Sequence, residues 1–431
     1  MNVKLLLGED KQTGARRIAV AAILLSFAAF VLTAMFDRGS LLGQLFFRDT
    51  MDTFMDYFNC LPGVAMRRPY DTESMYPPLS EVIFYLFSKI IEPDMLVGLD
   101  PHLMKLQQIP LLSFLLYLAV PIAVMVWALA DYLRGDNVLK RFVIISFLVT
   151  SPFLYTIERG NVLIYSLAAA IVFICYYDSE KKWQREVAII ALAVSAGIKL
   201  YPAILGFVLV KDKRWKETIR CVIYGVICFF GPFAIFGGFN SLMIMIKALT
   251  ANSGGFGHTE YAGKINFANM INVIDIEWFG GTGDIGWAQI AAYIISILLV
   301  GAAFLTKRRW KAILFLTLVM IGAPSFSFYY TGVFMLVPFL WFIAGSEKEY
   351  KWTDIIYLLG FIAVLAPIPI TYGDIHHTSV INVNLQIVGV AMLVMAVWGF
   401  IDSVIDMMDR IAPKAESKEE AKTAGKAETN A

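Results

Sequence analysis

The chain has 431 residues, 58% of them hydrophobic and only 16% charged, with a formal net charge of +1. Soluble domains of this length carry nearer a quarter of charged residues, so the composition argues against a soluble enzyme, and the balanced charge argues against a nucleic-acid partner. The charges gather in short clusters between apolar runs, the pattern of an all-α polytopic membrane protein.

In chain order, the first apolar run, Ile18 to Phe36, is long enough to span and lacks a small-residue cleavage site, so it reads as an anchor rather than a signal peptide. Further spans are predicted at 106–130, 142–157, 162–177, 219–238, 287–305, 312–328, 331–345, 354–371 and 383–404, for about 10–12 transmembrane helices in all. Lys and Arg in the short loops set the orientation. Arg16 and Arg17, Arg134 with Lys140 and Arg141, Lys181 with Lys182 and Arg185, the Lys211–Arg220 cluster and the Lys307–Lys311 cluster all read as cytoplasmic. Residues 187–210 are apolar and long enough to span, yet both flanks are basic. With Gly197, Lys199 and Pro202 in the middle, they are predicted to form a re-entrant or broken hairpin with Lys199 near its tip. Both termini then lie in the cytoplasm. Residues 37–105, the Glu158–Asn161 turn, 239–286, the turn near Ser325–Thr331 and 372–382 lie outside. Residues 1–411 read as one membrane-embedded domain, and 412–431, rich in Ala, Lys and Glu, as a disordered cytoplasmic tail.

The long first outer loop carries Asp49, Asp52 and Asp56, spaced by three and four, which puts them on one face of a helix. Such a cluster suits a general base; a solvated acidic face beside the membrane is the alternative. Tyr70 and the Tyr76-Pro77-Pro78-Leu79 turn follow, as substrate contacts or as part of an interfacial aromatic belt. The prolines fix where the next apolar segment starts, and Leu79 to Ile91 is too short to span. In the tight turn Glu158-Arg159-Gly160-Asn161, Glu158 and Arg159 either pair with each other or Arg159 offers its planar fork to a phosphate. Lys199, about twelve residues from either flank, is too deep to snorkel and adds a second cation. In the second long loop His258, Glu260, Asn266 and Asn269 are polar, and the Gly-rich string at 252–257 lacks the features of a nucleotide loop. His376 and His377 read as solvated loop histidines. The cysteines Cys60, Cys175, Cys221 and Cys228 make no CxxC pair and suggest neither a disulfide framework nor a zinc site.

Taken together, Asp52-Thr-Phe-Met-Asp56-Tyr-Phe-Asn, Pro69-Tyr70, Tyr76-Pro-Pro-Leu, Glu158-Arg-Gly-Asn161 and Gly197-Ile-Lys199-Leu-Tyr201-Pro202 resemble the GT-C glycosyltransferases of family GT87 (DUF2029). These are mannosyltransferase-like proteins of bacterial envelopes that draw on polyprenyl-phosphate sugars. The resemblance covers roughly residues 45–220 and thins beyond 240. It implies a multi-pass protein of the bacterial cytoplasmic membrane with an extracytoplasmic active site. The implied reaction moves mannose or a similar hexose from a polyprenyl-phosphate donor to a cell-envelope lipid or glycan acceptor. Asp52 or Asp56 is then the base, with Glu158, Arg159, Asn161, Lys199 and Tyr201 among the substrate contacts. No cofactor is implied; the aspartates could hold a divalent ion, but members of this branch are expected to work without one.

Many relatives carry a histidine in a Trp-x-His string in a later outer turn, where this chain has Pro324-Ser-Phe-Ser-Phe-Tyr329-Tyr330. Tyr330 or His258 then takes that place, or the mechanism differs. Direct attack assisted by one base predicts inversion, whereas a retaining route would need a second carboxylate such as Asp49 or Glu260. Two readings from other classes stand beside this one. A lipid-linked-sugar flippase would suit the broken segment, although the chain has no internal repeat. A non-catalytic envelope-assembly protein would keep the fold without the reaction.

Overall fold

The computed structural model describes residues 11–46, 50–72, 74–255, 264–281, 285–344, 351, 353–369 and 383–411. Asp49, His258, Glu260, His376, His377 and the tail 412–431 lie outside the described residues. Among the described residues the structure is all-α, with no β-strand. The principal helices are α1 (Lys11–Phe36), α2 (Pro78–Ser88), α3 (Gln108–Tyr132), α4 (Asn137–Leu148), α5 (Ser151–Arg159), α6 (Leu163–Tyr176), α7 (Lys182–Ile198) and α8 (Phe207–Lys211). They continue with α9 (Trp215–Phe230), α10 (Gly238–Gly255), α11 (Phe267–Phe279), α12 (Ile285–Leu305), α13 (Arg309–Gly322), α14 (Leu336–Ala344), α15 (Asp354–Leu365) and α16 (Val383–Ile411).

Among the described residues five segments are long and apolar enough to cross a membrane: Arg16–Phe36, Gln108–Tyr132, Trp215–Ala234, Gly286–Leu305 and Gln386–Met408. Their outward residues remain apolar, as with Leu25, Ile223 and Ile297, because lipid rather than water meets them. The span expected at 142–157 is instead a bent pair, α4 and α5, meeting at 52°. Pro152, in the first turn of α5, has no N–H to continue the helix of α4. The runs expected at 162–177, 312–328, 331–345 and 354–371 fall on the shorter helices α6, α13, α14 and α15. The stretch 239–286, expected as a loop, carries α10 and α11. Gly237 and Gly238 both take positive φ where α10 begins, and the Asn266 side chain caps α11 by accepting from the Asn269 N–H at 2.8 Å.

The predicted hairpin is present. α7 ends at Ile198, where Lys199 is extended (φ −139°, ψ 128°). Pro202 cannot donate to a continuing helix, so a 3-10 turn (Tyr201–Gly206) and α8 carry the chain back. The return is close: a Cβ on Gly206 would lie 3.8 Å from Leu192, in the middle of α7. Arg185 near the start of α7 then meets Glu217 near the start of α9, Nε to Oε1 at 3.1 Å. α7 has 17 residues, so the tip carrying Lys199 stands about 25 Å from that end at 1.5 Å per residue. Other basic clusters share the same end. Lys211 donates to the Ala303 carbonyl at 2.9 Å, and Arg309 pairs with Asp178 and, at 3.5 Å, with Asp212. At the tip, a Cβ on Gly197 would lie 2.9 Å from Leu79 of α2 and 2.8 Å from Cys228 of α9, so glycine alone lets three helices close there. The Ser80 hydroxyl donates to the Ile198 carbonyl at 2.8 Å and ties α2 to the tip.

A buried ion network holds the helices at the basic end. Lys311 of α13 is fully enclosed and pairs with Asp402 of α16 and, at 3.5 Å, with Asp354 of α15. Arg308 also reaches Asp354, and the Tyr357 hydroxyl donates to Asp402 at 2.9 Å. Lys311→Met would leave Asp402 enclosed without its cation, an expected cost of about 3 kcal/mol. A lowered melting temperature in detergent checks this, with Asp402→Asn expected to restore part of the loss in the Lys311→Met background. An unchanged melting temperature would show that water reaches the pair.

Candidate active site

Residues 50–54 turn into a short helix, Met55–Phe58. Phe54 lies between the two aspartates in the left-handed region (φ 66°), a conformation that costs a bulky residue about 1 kcal/mol or more. Its N–H donates to the Glu158 carbonyl at 2.7 Å, and its ring packs 4.6 Å from that of Phe114. Gly160 makes the approach possible: a Cβ there would lie 2.9 Å from the Phe54 carbonyl oxygen, and its φ of +66° is one glycine adopts freely. Asp52 and Asp56 therefore do not share a helix face, as their spacing predicts. The left-handed turn at Phe54 separates them, and they converge on one guanidinium instead.

That guanidinium belongs to Arg159. NH1 pairs with Asp52 Oδ2, and NH2 with Asp56 Oδ1 at 2.8 Å. The sequence offered Glu158 as one partner of Arg159; the structure pairs it with Asp52 and Asp56 instead. Glu158 instead accepts from the Thr53 hydroxyl at 3.0 Å. Asn161 Nδ2 donates to Asp56 Oδ2 at 2.7 Å and to the Tyr76 hydroxyl at 3.3 Å, while its Oδ1 accepts from the Leu163 N–H at 2.9 Å. Both oxygens of Asp56 are thus held, whereas the Asp52 carboxylate makes a single contact among the described residues. The Asp52 side chain is 45% exposed and that of Asp56 17%.

The turn has a second anchor that the sequence reading missed. The Lys105 ammonium donates to the carbonyls of Thr50 (3.0 Å), Met51 (2.7 Å) and Thr53 (3.1 Å), and His102 Nδ1 lies 3.0 Å from the Met51 carbonyl. No motif marks such contacts, because the acceptors are backbone atoms some fifty residues away.

Beyond Asn161 a cavity of about 410 Å³ opens at the hairpin tip. Tyr76, Lys199, Tyr201 and Tyr330 line it, with Phe328 and Glu81. The Lys199 ammonium sits 4.2 Å from the centre of the Tyr76 ring and has no carboxylate within ion-pair distance among the described residues. It is the one basic side chain among the described residues lining the cavity. Met245 and Leu249 of α10, one turn apart, cover the cavity from another side. Tyr70 stands behind the wall rather than in it: it is buried against Phe233, and its hydroxyl donates to the Tyr76 carbonyl at 3.2 Å. Tyr330 stacks on Phe328 at 5.9 Å and lines the cavity.

Glu81 was also missed. Its one sequence signal is a carboxylate inside the apolar run of α2. α2 lies outside the five long spans, and burial there pushes the Glu81 carboxyl up to about 8, against the downward pull of Ser74 and Lys199. Among the described residues no three His, Cys, Asp or Glu side chains converge as a metal-ligand set.

Residues 75–303, just over half of the chain, match the pattern of glycosyltransferase family 87. The chain belongs to that family. It is accordingly a membrane glycosyltransferase, with a sugar donor and an acceptor. The family 87 match runs past residue 240, further than the motifs suggest, and it begins after both aspartates, whose position rests on the contacts to Arg159 and Asn161. No curated protein and no solved structure matches the chain. For a family 87 transferase built this way, Lys105→Met is expected to lower kcat about tenfold by loosening the aspartate turn. Donor KM should move little and Lys105→Arg should recover most of the rate. Steady-state transfer kinetics check this, and unchanged kcat would show that the turn holds itself.

Proposed function

We propose that this protein transfers a hexose, mannose or a close relative, from a polyprenyl-phosphate donor to a lipid or glycan acceptor of the bacterial cell envelope. The reaction takes place on the extracytoplasmic face of the cytoplasmic membrane, with both termini on the other side. The observation that carries the donor class is the continuity of two spaces at the hairpin. The cavity with its lone lysine adjoins an apolar groove of about 400 Å³ between α7, the returning arm of the hairpin and α9. Leu200 and Phe229 border both. The groove is walled by Ala193, Phe207, Val222, Val226 and Phe230, several of them open to lipid. A donor with a phosphate at one end of a long hydrocarbon needs this pairing of cation and groove, and a water-soluble nucleotide sugar has no use for the second half. Charge supports this side of the membrane: the basic loops gather at the opposite end of α7 and α9, the end expected in the cytoplasm.

In this reading Asp56 takes the proton of the attacking acceptor hydroxyl, and Lys199 meets the charge that grows on the departing phosphate. Arg159 and Asn161 hold the plane of Asp56. Direct attack assisted by Asp56 as the one base favours single displacement with inversion.

The test is transfer by the purified protein in detergent, using a panel of polyprenyl-phosphate hexoses beside nucleotide sugars, with and without chelator. Transfer from one lipid-linked hexose, unaffected by chelator, is expected. Turnover of a nucleotide sugar in its place would overturn the donor class.

A further inference from the structure

Glu81 stands in the first turn of α2 with its side chain fully enclosed. Oε1 accepts a hydrogen bond from the Ser74 hydroxyl, but Oε2, equally enclosed, has no hydrogen-bond partner among the described residues. A buried carboxyl oxygen without a partner is costly, and native structures rarely keep one without use. The position of Glu81 near the N-terminus of α2 favours negative charge there but fills no lone pair. The neighbouring donors are committed. The Ser74 hydroxyl serves Oε1, and the Thr72 hydroxyl donates to the Pro69 carbonyl at 2.7 Å. The Ser80 hydroxyl donates to the Ile198 carbonyl, and the Cys60 thiol to the Asp56 carbonyl at 3.3 Å. None of these four neighbouring donors is left to serve Oε2, which leaves it open to a partner from outside the protein.

The cavity says which part of a ligand that is. Glu81, Ser74 and Thr72 form one stretch of its wall, and Lys199 belongs to the same cavity. A sugar joined directly to a phosphate must lie beside whatever holds that phosphate. The rings of Tyr76, Tyr201, Phe328 and Tyr330 offer the apolar faces a pyranose packs on, and hydroxyls at its rim need fixed polar partners. We propose that Glu81, positioned by Ser74, pairs through Oε2 with one hydroxyl of the sugar being transferred and so determines which hexose is accepted. This inference rests on the donor reading above.

The experiment compares the accepted polyprenyl-phosphate hexose with its mono-deoxy forms, as kcat/KM, in the wild type, Glu81→Ala and Glu81→Gln. A site built around a substrate hydroxyl rejects the analogue lacking it, here by an expected hundredfold or about that in the wild type, at one ring position only. At that position Glu81→Ala is expected to lose less than about threefold further, because its partner is already gone. The other deoxy forms should fall equally in both proteins. Glu81→Gln keeps the shape and the Ser74 contact, and is expected to keep the melting temperature while losing discrimination at that same position. It answers the question if Glu81→Ala does not fold. Equal losses at every position in wild type and variants would overturn the subsite while leaving the donor reading intact. Discrimination that follows deoxy forms of the acceptor instead would also overturn it. Absence of transfer from every lipid-linked hexose by the wild type would overturn the donor reading and this inference with it.

Discussion

Asp56→Asn is expected to lower transfer about a thousandfold, within the range that a positioned general base contributes. Binding of polyprenyl phosphate should be nearly unchanged. The expectation singles out Asp56 over Asp52 on three grounds. Each Asp56 oxygen is held by a donor, Arg159 on one and Asn161 on the other, so the carboxylate plane is fixed before substrate arrives. Asp56 is the less exposed of the two. It is also tied to the cavity wall: Asn161 bridges it to the Tyr76 hydroxyl, and Asn59 and Cys60, one turn further along the chain, line the wall. Asp52 is half-exposed on the other side of the guanidinium, so Asp52→Asn is expected to cost about tenfold, through a less well-held Arg159. Each substitution replaces a carboxylate with an amide of the same shape, so a folding defect is not the expected outcome. Rates in the reverse order would exchange the roles of the two residues. Near-normal rates in both would remove the aspartates from the chemistry.

The features legible in the sequence are those whose cause is local. A lysine twelve residues from any flank, with glycine and proline beside it, has few ways to exist in a membrane, and the hairpin is the outcome. The apolar runs likewise show the long spans. The features that were hidden depend on atoms far apart in the chain. Three carboxylates at helical spacing look like one face of a helix; nothing local shows that Phe54 takes positive φ, because the reason lies a hundred residues on, at Gly160. Arg159 has Glu158 as its nearest acidic neighbour in sequence, but a helix end points successive side chains apart, and the guanidinium finds Asp52 and Asp56 across the fold. Lys105 meets only carbonyls, which carry no residue type, and Glu81 looks like a stray charge in an amphipathic helix. The bend between α4 and α5 was within reach, since Pro152 was in view, but apolarity alone joined the two.

Lys199→Met is expected to lower kcat/KM by about a hundredfold to a thousandfold, the loss seen when one preorganised partner of a developing anion is removed. The size follows from how the cations are shared. Arg159 would have been a second candidate, but its two arms are taken by two aspartates, and it serves Asp56. Lys199 is held over the Tyr76 ring at 4.2 Å, which fixes the ammonium without cancelling its charge. A cation that is positioned but not neutralised meets an arriving phosphate most strongly, and more so as the sugar–phosphate bond breaks and charge gathers on the leaving oxygen. The loss should therefore appear more in kcat than in the KM for donor. Lys199→Arg, which keeps the charge but changes its shape, should recover part of the rate. Tyr76→Phe should cost little, since the ring and not the hydroxyl carries the lysine, beyond the loss of the bond from Asn161. If Lys199→Met stays within about threefold of the wild type, well short of the loss expected for such a partner, the leaving phosphate does not rest on Lys199. The cavity would then have to bind its anion through backbone N–H groups instead.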